Sequence, residues 1–349
     1  MSESSSDFRA AKLLKRQLER RYGVGDTKME HEPTFFAGLT LRRDRARRAL
    51  TICMSAVIEA AAREHIPEYV AGASRAEMGL PTGKRLQQIA DGLRLPPAAE
   101  RAALKPKQRG VRTILGKLKW YEKVTPALVH VVRRLSCVAA SPPPEADAVA
   151  RAALCDAYDL RDVGITYGGG GLCAVPRLAG GISAAFAMED GAPAELEATA
   201  DSTWSGDNVY AILLTLYGGA VAHTAKLLHL IVDSSTESEA VATAKAGEIV
   251  TYARMIMRGL GIQPAGPTFV GSDNKANTLL ASGRSLPTRL RHCLRRYQAF
   301  VQRVRGGECE IGHVRDEANP SDFMTKFVPK AKFEASHEYA TNAKNAVRG

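Results

Sequence analysis

Four carboxylates stand where the residues around them could bring them together: Asp201, Glu239, Asp273 and Asp322. Asp201 closes ELEATAD, in which Leu196, Ala198 and Ala200 alternate with polar residues, the period of a half-buried strand. Asp273 follows the short apolar run TFVGS, and Asp322 sits in NPSD, which has helix N-terminus chemistry. Glu239 opens the series Ala242, Ala246, Ile249, Ala253 and Ile256, whose steps of three and four predict one inward stripe on a helix. Glu237 falls about 200° away on that helix and is expected to face solvent. Each acid also has an ordinary explanation. Thr236 and Glu239 have the form of a capping box, Asp201 could end a strand at a surface turn, Asp273 could cap the next helix, and Asp322 could offset a helix dipole. Together, four acids at strand ends and helix N-termini describe a cage that repels itself without cations. Hard divalent ions suit such oxygen ligands, and two of them can activate a water and stabilise the leaving oxygen of a phosphodiester.

The elements that must hold these acids follow a change of grammar near residue 175. Val209 to Tyr217 and Val221 to His229 flank Gly218-Gly219, a hairpin signal. Three strands, the Glu239 helix, the strand before Asp273, helices over Lys275–Ala281 and Thr288–Arg305, a fifth strand over Glu308–Val314 and a last helix make an α/β arrangement on a mixed sheet. Residues 1–165 read as mainly helical. They hold a basic helix over Asp7–Tyr22, a strand-like run at Phe35–Leu41, a basic cluster at Arg42–Arg48, and helices over Leu50–Glu64, Arg112–Ala140 and Ala148–Tyr158. The expected organisation is a helical region over 1–165, an α/β domain over 175–330 and a polar tail, a loose helix, over 331–349.

With 349 residues, 45% of them hydrophobic and only 6% aromatic, the chain can bury two cores built largely on alanine-rich helices. A net charge of +11 favours a polyanionic partner, nucleic acid first among them. The six cysteines have no metal-ligand spacing, which argues against a zinc site. No run reaches the roughly eighteen apolar residues of a membrane span, and MSESSSDFRA is no signal peptide, so an intracellular protein, cytoplasmic or nuclear, is expected.

The motifs ADSTWSGD from Ala200, SSTESEA from Ser234, GSDNKAN from Gly271, TRLRHCLRRY from Thr288 and NPSDFMTK from Asn319 carry a resemblance. In their letters, order and spacing, residues 197–328 resemble the ribonuclease H domain of copia-type LTR retrotransposon Pol polyproteins. More loosely, FFAGLTLRRD from Phe35, RTILGKL from Arg112 and DLRDVGITYGG from Asp159 resemble the end of the reverse transcriptase and the connecting segment before that domain. The resemblance implies a ribonuclease H-like fold, a five-stranded mixed sheet with flanking helices. It also implies hydrolysis of the RNA strand of an RNA–DNA hybrid with two Mg²⁺ ions, or Mn²⁺ in their place. Carried over by motif, Asp201, Glu239 and Asp273 hold one ion, and Asp201 bridges to a second completed by Asp322. Glu237 is the fallback for Glu239. Arg289, Arg291, Arg295 and Arg296 are candidates for phosphate contacts, and His292 and His313 for an auxiliary role.

Departures from the family bear on these implications. Nothing in the chain resembles the Tyr-x-Asp-Asp strand that holds polymerase metals, so polymerase activity is not expected of it. Thr203 stands where a second aspartate is usual, and His223 and Lys226 replace a Trp-x-Ser-Lys-Lys-Gln pattern before Ser234. The second departure bears on substrate contacts more than on metal binding. Two rival readings use the same residues: a catalytically inactive remnant that binds nucleic acid, and an accessory subunit that docks a separate reverse transcriptase chain through its N-terminal half.

Overall fold

The computed structural model describes residues 34–104, 108–170, 177–179, 182–184, 196–204, 207–259, 266–282 and 294–347, with 16, 19 and 20. The basic helix expected over 7–22 lies outside the described residues. The apolar run at Phe35 is a hairpin rather than one strand: β1 (Phe35–Phe36) turns through Ala37 and Gly38, both at positive φ, into β2 (Leu39–Asp44). The helix expected from Leu50 is preceded by β3 (Ala49–Cys53), because Thr51 and Ile52 favour extended backbone and the Thr51 hydroxyl pairs with that of Thr166 at 2.7 Å. Among the described residues seven α-helices follow: α1 (Ser55–His65), α2 (Pro67–Val70), α3 (Gly83–Gly92), α4 (Ala98–Leu104), α5 (Gln108–Tyr121), α6 (Val129–Cys137) and α7 (Glu145–Asp159). α7 buries Ala146, Ala150, Ala152, Ala153 and Ala157, small side chains that let α1, α5 and α6 approach its axis. The chain then returns as β4 (Ile165–Gly168), antiparallel to β3, to complete a four-stranded sheet.

The second sheet takes β5 (Arg177–Ala179), β6 (Ile182–Ala184), β7 (Leu196–Thr203), β8 (Val209–Leu216) and β9 (Gly219–Leu227). Tyr217 and Gly218 both have positive φ, the two-residue turn whose twist suits a β8–β9 hairpin. The rest of the chain supplies α8 (Ser235–Gly259), β10 (Thr268–Ser272), α9 (Lys275–Ala281), α10 (Leu294–Arg305), β11 (Cys309–His313), α11 (Asp322–Thr325) and α12 (Lys330–Thr341). The strand order is β6-β5-β11-β10-β7-β8-β9. β10 runs parallel to both β7 and β11, whereas β8 and β9 are antiparallel. The five strands from β11 to β9 form the mixed sheet expected from the order of elements, with helices packed on it, and β5 and β6 extend it at one edge. Among the described residues no helix is long and apolar enough to cross a membrane.

Two differences from expectation concern the site. The inward face of α8 follows Ala242 and Ala246 but then shifts by one residue to Val250, Arg254 and Met257, leaving Ile256 exposed. A helix of 3.6 residues per turn drifts away from alternating steps of three and four. The tail expected to be polar and loose is a docked helix: α12 buries Ser336, His337, Tyr339 and Ala340. Beyond it the Asn342 amide donates to the carbonyls of Thr166 and Gly168, and the Val347 N–H donates to Thr51 Oγ1. The C-terminal residues thus fasten the second sheet to the first. Gly219 completes that junction, since a Cβ there would lie 2.5 Å from the Thr166 carbonyl oxygen.

α8 reaches its seat through Gly247, against which the fully buried Phe300 ring of α10 packs; a Cβ at 247 would stand 2.6 Å from that ring. Helix propensity alone predicts that Gly247→Ala stabilises by about 1 kcal/mol. Overpacking against Phe300 should reverse the sign, to a loss of about 1–3 kcal/mol, read as a lower urea midpoint at unchanged m.

Candidate metal centre

The parallel pairing of β7 with β10 sets Gly271 beside Thr199, so that Asp201 and Asp273 each stand two residues beyond the same pair, at one edge of the sheet. Asp201 is only 2% exposed, and its Oδ2 accepts a hydrogen bond from Thr325 Oγ1. Asp273 does not cap the following helix. That work falls to Asn274, whose side chain accepts from the Asn277 N–H. Asp273 Oδ2 instead accepts from the amide of Asn319 at 3.3 Å, and the same amide donates to the Ala200 carbonyl. One buried asparagine thereby ties the two aspartate strands together.

Glu239 comes from α8 across the sheet. The cap of that helix lies two residues earlier than the sequence suggests: Ser234 Oγ accepts from the Glu237 N–H, and Glu237 Oε2 reaches back to the Asp233 N–H at 2.8 Å. Glu237 is therefore buried, not solvent-facing, because it closes the helix end. Glu239 is released from capping. Its Oε1 accepts from both the N–H (2.9 Å) and the hydroxyl (2.7 Å) of Ser202, the residue after Asp201, while Oε2 is buried without a hydrogen-bond partner. Asp201, Glu239 and Asp273 each offer an oxygen within 4.8 Å of the others.

Asp322 is nearby but differently disposed. It is 1% exposed, with Lys326 Nζ 2.6 Å from Oδ1 and Lys332 Nζ in contact with Oδ2. It adds to the negative charge felt by Asp201 and Asp273 yet lies outside the three-residue group. His313 Nε2 sits 2.9 Å from the Asp273 backbone carbonyl, at the rim. Arg289, Arg291 and His292 lie outside the described residues, and Arg295 and Arg296 fall in the first turn of α10. Sequence reasoning missed Ser202, Asn319, Thr325 and the two lysines as supports. The quoted motifs were the available signal for four of them, ADSTWSGD for Ser202 and NPSDFMTK for Asn319, Thr325 and Lys326, and nothing marked Lys332.

The N-terminal half braces this edge. Arg134 of α6 pairs with Asp207, in the turn after β7, and donates to the Ala90 carbonyl at the end of α3. The His130 ring meets Phe327, two residues past α11, edge to face at 4.6 Å. The segments that carry Asp201 and Asp322 both rest on one helix of the first half.

No family model matches the chain. Over 126 residues it is 27% identical to the retrovirus-related Pol polyprotein from transposon TNT 1-94 of Nicotiana tabacum. The chain has a retrotransposon Pol-like stretch. That match covers 36% of the chain and 9% of the tobacco polyprotein, so the chain spans a small part of that relative. Among solved structures, LC11-RNase H1 in complex with an RNA/DNA hybrid aligns with 37% of the chain and 93% of its own length, at 13% identity and a TM-score of 0.30. The N-terminal ribonuclease H domain of rv2228c from Mycobacterium tuberculosis, fused to maltose binding protein, aligns with 42% of the chain and 96% of its own length, at 16% identity and a TM-score of 0.28.

The donor set of this Pol-like chain fits a hard divalent ion: three converging carboxylates, one with an orphaned buried oxygen, and no ion-pair partner for any of the three among the described residues. Burial, then the charge of Asp273, pushes Glu239 up to about 8 against the two Ser202 hydrogen bonds. Asp201 is raised well above the usual range by burial and by Glu239, and Asp273 is raised chiefly by burial. With no metal bound, these groups carry no penalty at pH values where the unfolded chain is also protonated. As pH climbs past about 4, the unfolded carboxyls ionise freely while the folded ones resist. The metal-free chain in EDTA should therefore lose stability between about pH 4 and about pH 8, by a few kcal/mol in order of magnitude. Asp201→Asn should remove much of that loss, as read by thermal or urea melts across the range.

Proposed function

We propose that the chain is a metal-dependent endonuclease of the ribonuclease H type, cutting the RNA strand of RNA–DNA hybrids as part of a copia-type retrotransposon polyprotein. The observation that carries this reading is the convergence of Asp201, Glu239 and Asp273, the first two buried and the third half-buried, at one edge of a ribonuclease H-like sheet. These three would hold one Mg²⁺, and Asp322 with Asp201 a second; Mn²⁺ has the same preference for oxygen ligands. Bound divalent ions supply a nucleophilic water at neutral pH and charge for the departing 3′ oxygen.

The chain's own residues do the rest. Ser202 fixes the rotamer of Glu239, Asn319 holds Asp273 against the Asp201 strand, and Thr325 holds Asp201, so the oxygens are placed before an ion arrives. Phosphates of the hybrid meet a chain of net charge +11, with Arg289, Arg291, Arg295 and Arg296 as the proposed contacts. Selection of RNA would come from its 2′-hydroxyls in the wide minor groove.

A labelled hybrid incubated with the chain and Mg²⁺ tests the reading. Cleavage should be confined to the RNA strand. Asp201→Asn should lower its rate by about three orders of magnitude or more while leaving salt-sensitive hybrid binding in place. Binding by the wild type without cleavage at any Mg²⁺ concentration points instead to a nucleic-acid-binding remnant.

A further inference from the structure

The four acids of the site are not electrostatically equivalent. Asp201, Glu239 and Asp273 share one small volume with no ion-pair partner among the described residues, whereas the fully buried Asp322 has an ammonium group on each oxygen. The two lysines differ as well. Lys326 is half exposed, at 48%, and can swing into solvent. Lys332 is 13% exposed, and its Nζ also lies 3.6 Å from Asp316, so two carboxylates hold it from both sides. It projects from the first turn of α12, whose backbone is fixed by the buried His337, Tyr339 and Ala340. A cation anchored in that way does not leave as a surface lysine does.

We propose that Lys332 is a built-in cation at the fourth carboxylate: a divalent ion is taken up first at the Asp201–Glu239–Asp273 group, and an ion that uses Asp322 must displace Lys332. This rests on the metal-dependent reading above and adds a regulatory consequence to it. The site fills in two separated steps, so full occupancy, and the activity that depends on it, is set by the free divalent-ion concentration rather than by substrate alone. Lys332 acts through Asp322 and is a positioning residue, not a catalytic one.

The test counts bound Mn²⁺ by electron paramagnetic resonance and calorimetry on the full chain without substrate. The wild type should bind one ion tightly and a second weakly. Lys332→Met should tighten the second ion by about tenfold or more, since an ammonium group no longer competes for the carboxylate. Lys332→Arg, which keeps the charge, should behave like the wild type and guards against a merely structural effect. The pair Lys332→Met with Asp322→Asn should lose the gain. Two ions of equal affinity in the wild type, or identical binding by wild type and Lys332→Met, would overturn the proposal while leaving the metal site standing. Failure of the wild type to bind any ion overturns the metal-dependent reading and this proposal with it.

Discussion

The structure depends on a repulsion. Two unit charges about 4 Å apart at an effective dielectric near 20 oppose each other by about 4 kcal/mol. Asp201, Glu239 and Asp273 make three such pairs, so the fully ionised group without a cation opposes folding by roughly the whole stability of a domain, about 5–15 kcal/mol. That arrangement is not tenable with three bare charges: burial raises the proton affinity of all three groups, and the charge of a fellow acid adds to it at Asp201 and Glu239. Protons or metal ions must take up the charge, and the protein supplies the frame that keeps the oxygens together meanwhile.

The frame is built from short connections. Parallel register between β7 and β10 levels Asp201 with Asp273, and the Asn319 amide locks the two strand ends to each other. Ser202 does the same between β7 and α8 through two hydrogen bonds to one carboxylate oxygen. Charge-assisted bonds of this kind are roughly twice as strong as neutral ones, which suits positions where the side chain is pushed away by its neighbours. The capping chemistry matters equally. Because Ser234 and Glu237 close the helix between them, the next acid along is free to point at the sheet.

Much of this was legible in the sequence, for reasons that differ by residue. The alternation ending at Asp201 and the spacing from Glu239 through Ala246 are periodic signals, and the mixed sheet followed from the order of elements. Their places at strand ends and on helices grouped the four acids, and the resemblance assigned the metal roles to them. What failed was whatever periodicity does not encode. Two overlapping box patterns, Ser234 with Glu237 and Thr236 with Glu239, are equally good in the sequence, and the folded chain uses the first. Glu237 was therefore placed on the wrong side. The residues after 330 read as polar because their burial comes from partners far away in sequence, Thr166 and Thr51 among them. Lys332 carries no signal in the sequence for the same reason: its partners are Asp316 and Asp322.

The N-terminal half gains a physical role from these long-range contacts. It contributes no acid to the three-carboxylate group, yet α6 holds Asp207 through Arg134 and supports Phe327 through His130, so the turn after Asp201 and the segment after Asp322 share a single abutment. The opposite end of the sheet is held as well, by Asn342 on β4 and by the close approach of Gly219 to Thr166. A sheet braced at both ends can resist the outward push of its own carboxylates without a metal present. Removing the first half would leave the buried apolar faces of β8, β9 and α12 uncovered and would free the two segments whose positions matter most. The helical region is better understood as part of the support of the site than as a passenger beside it.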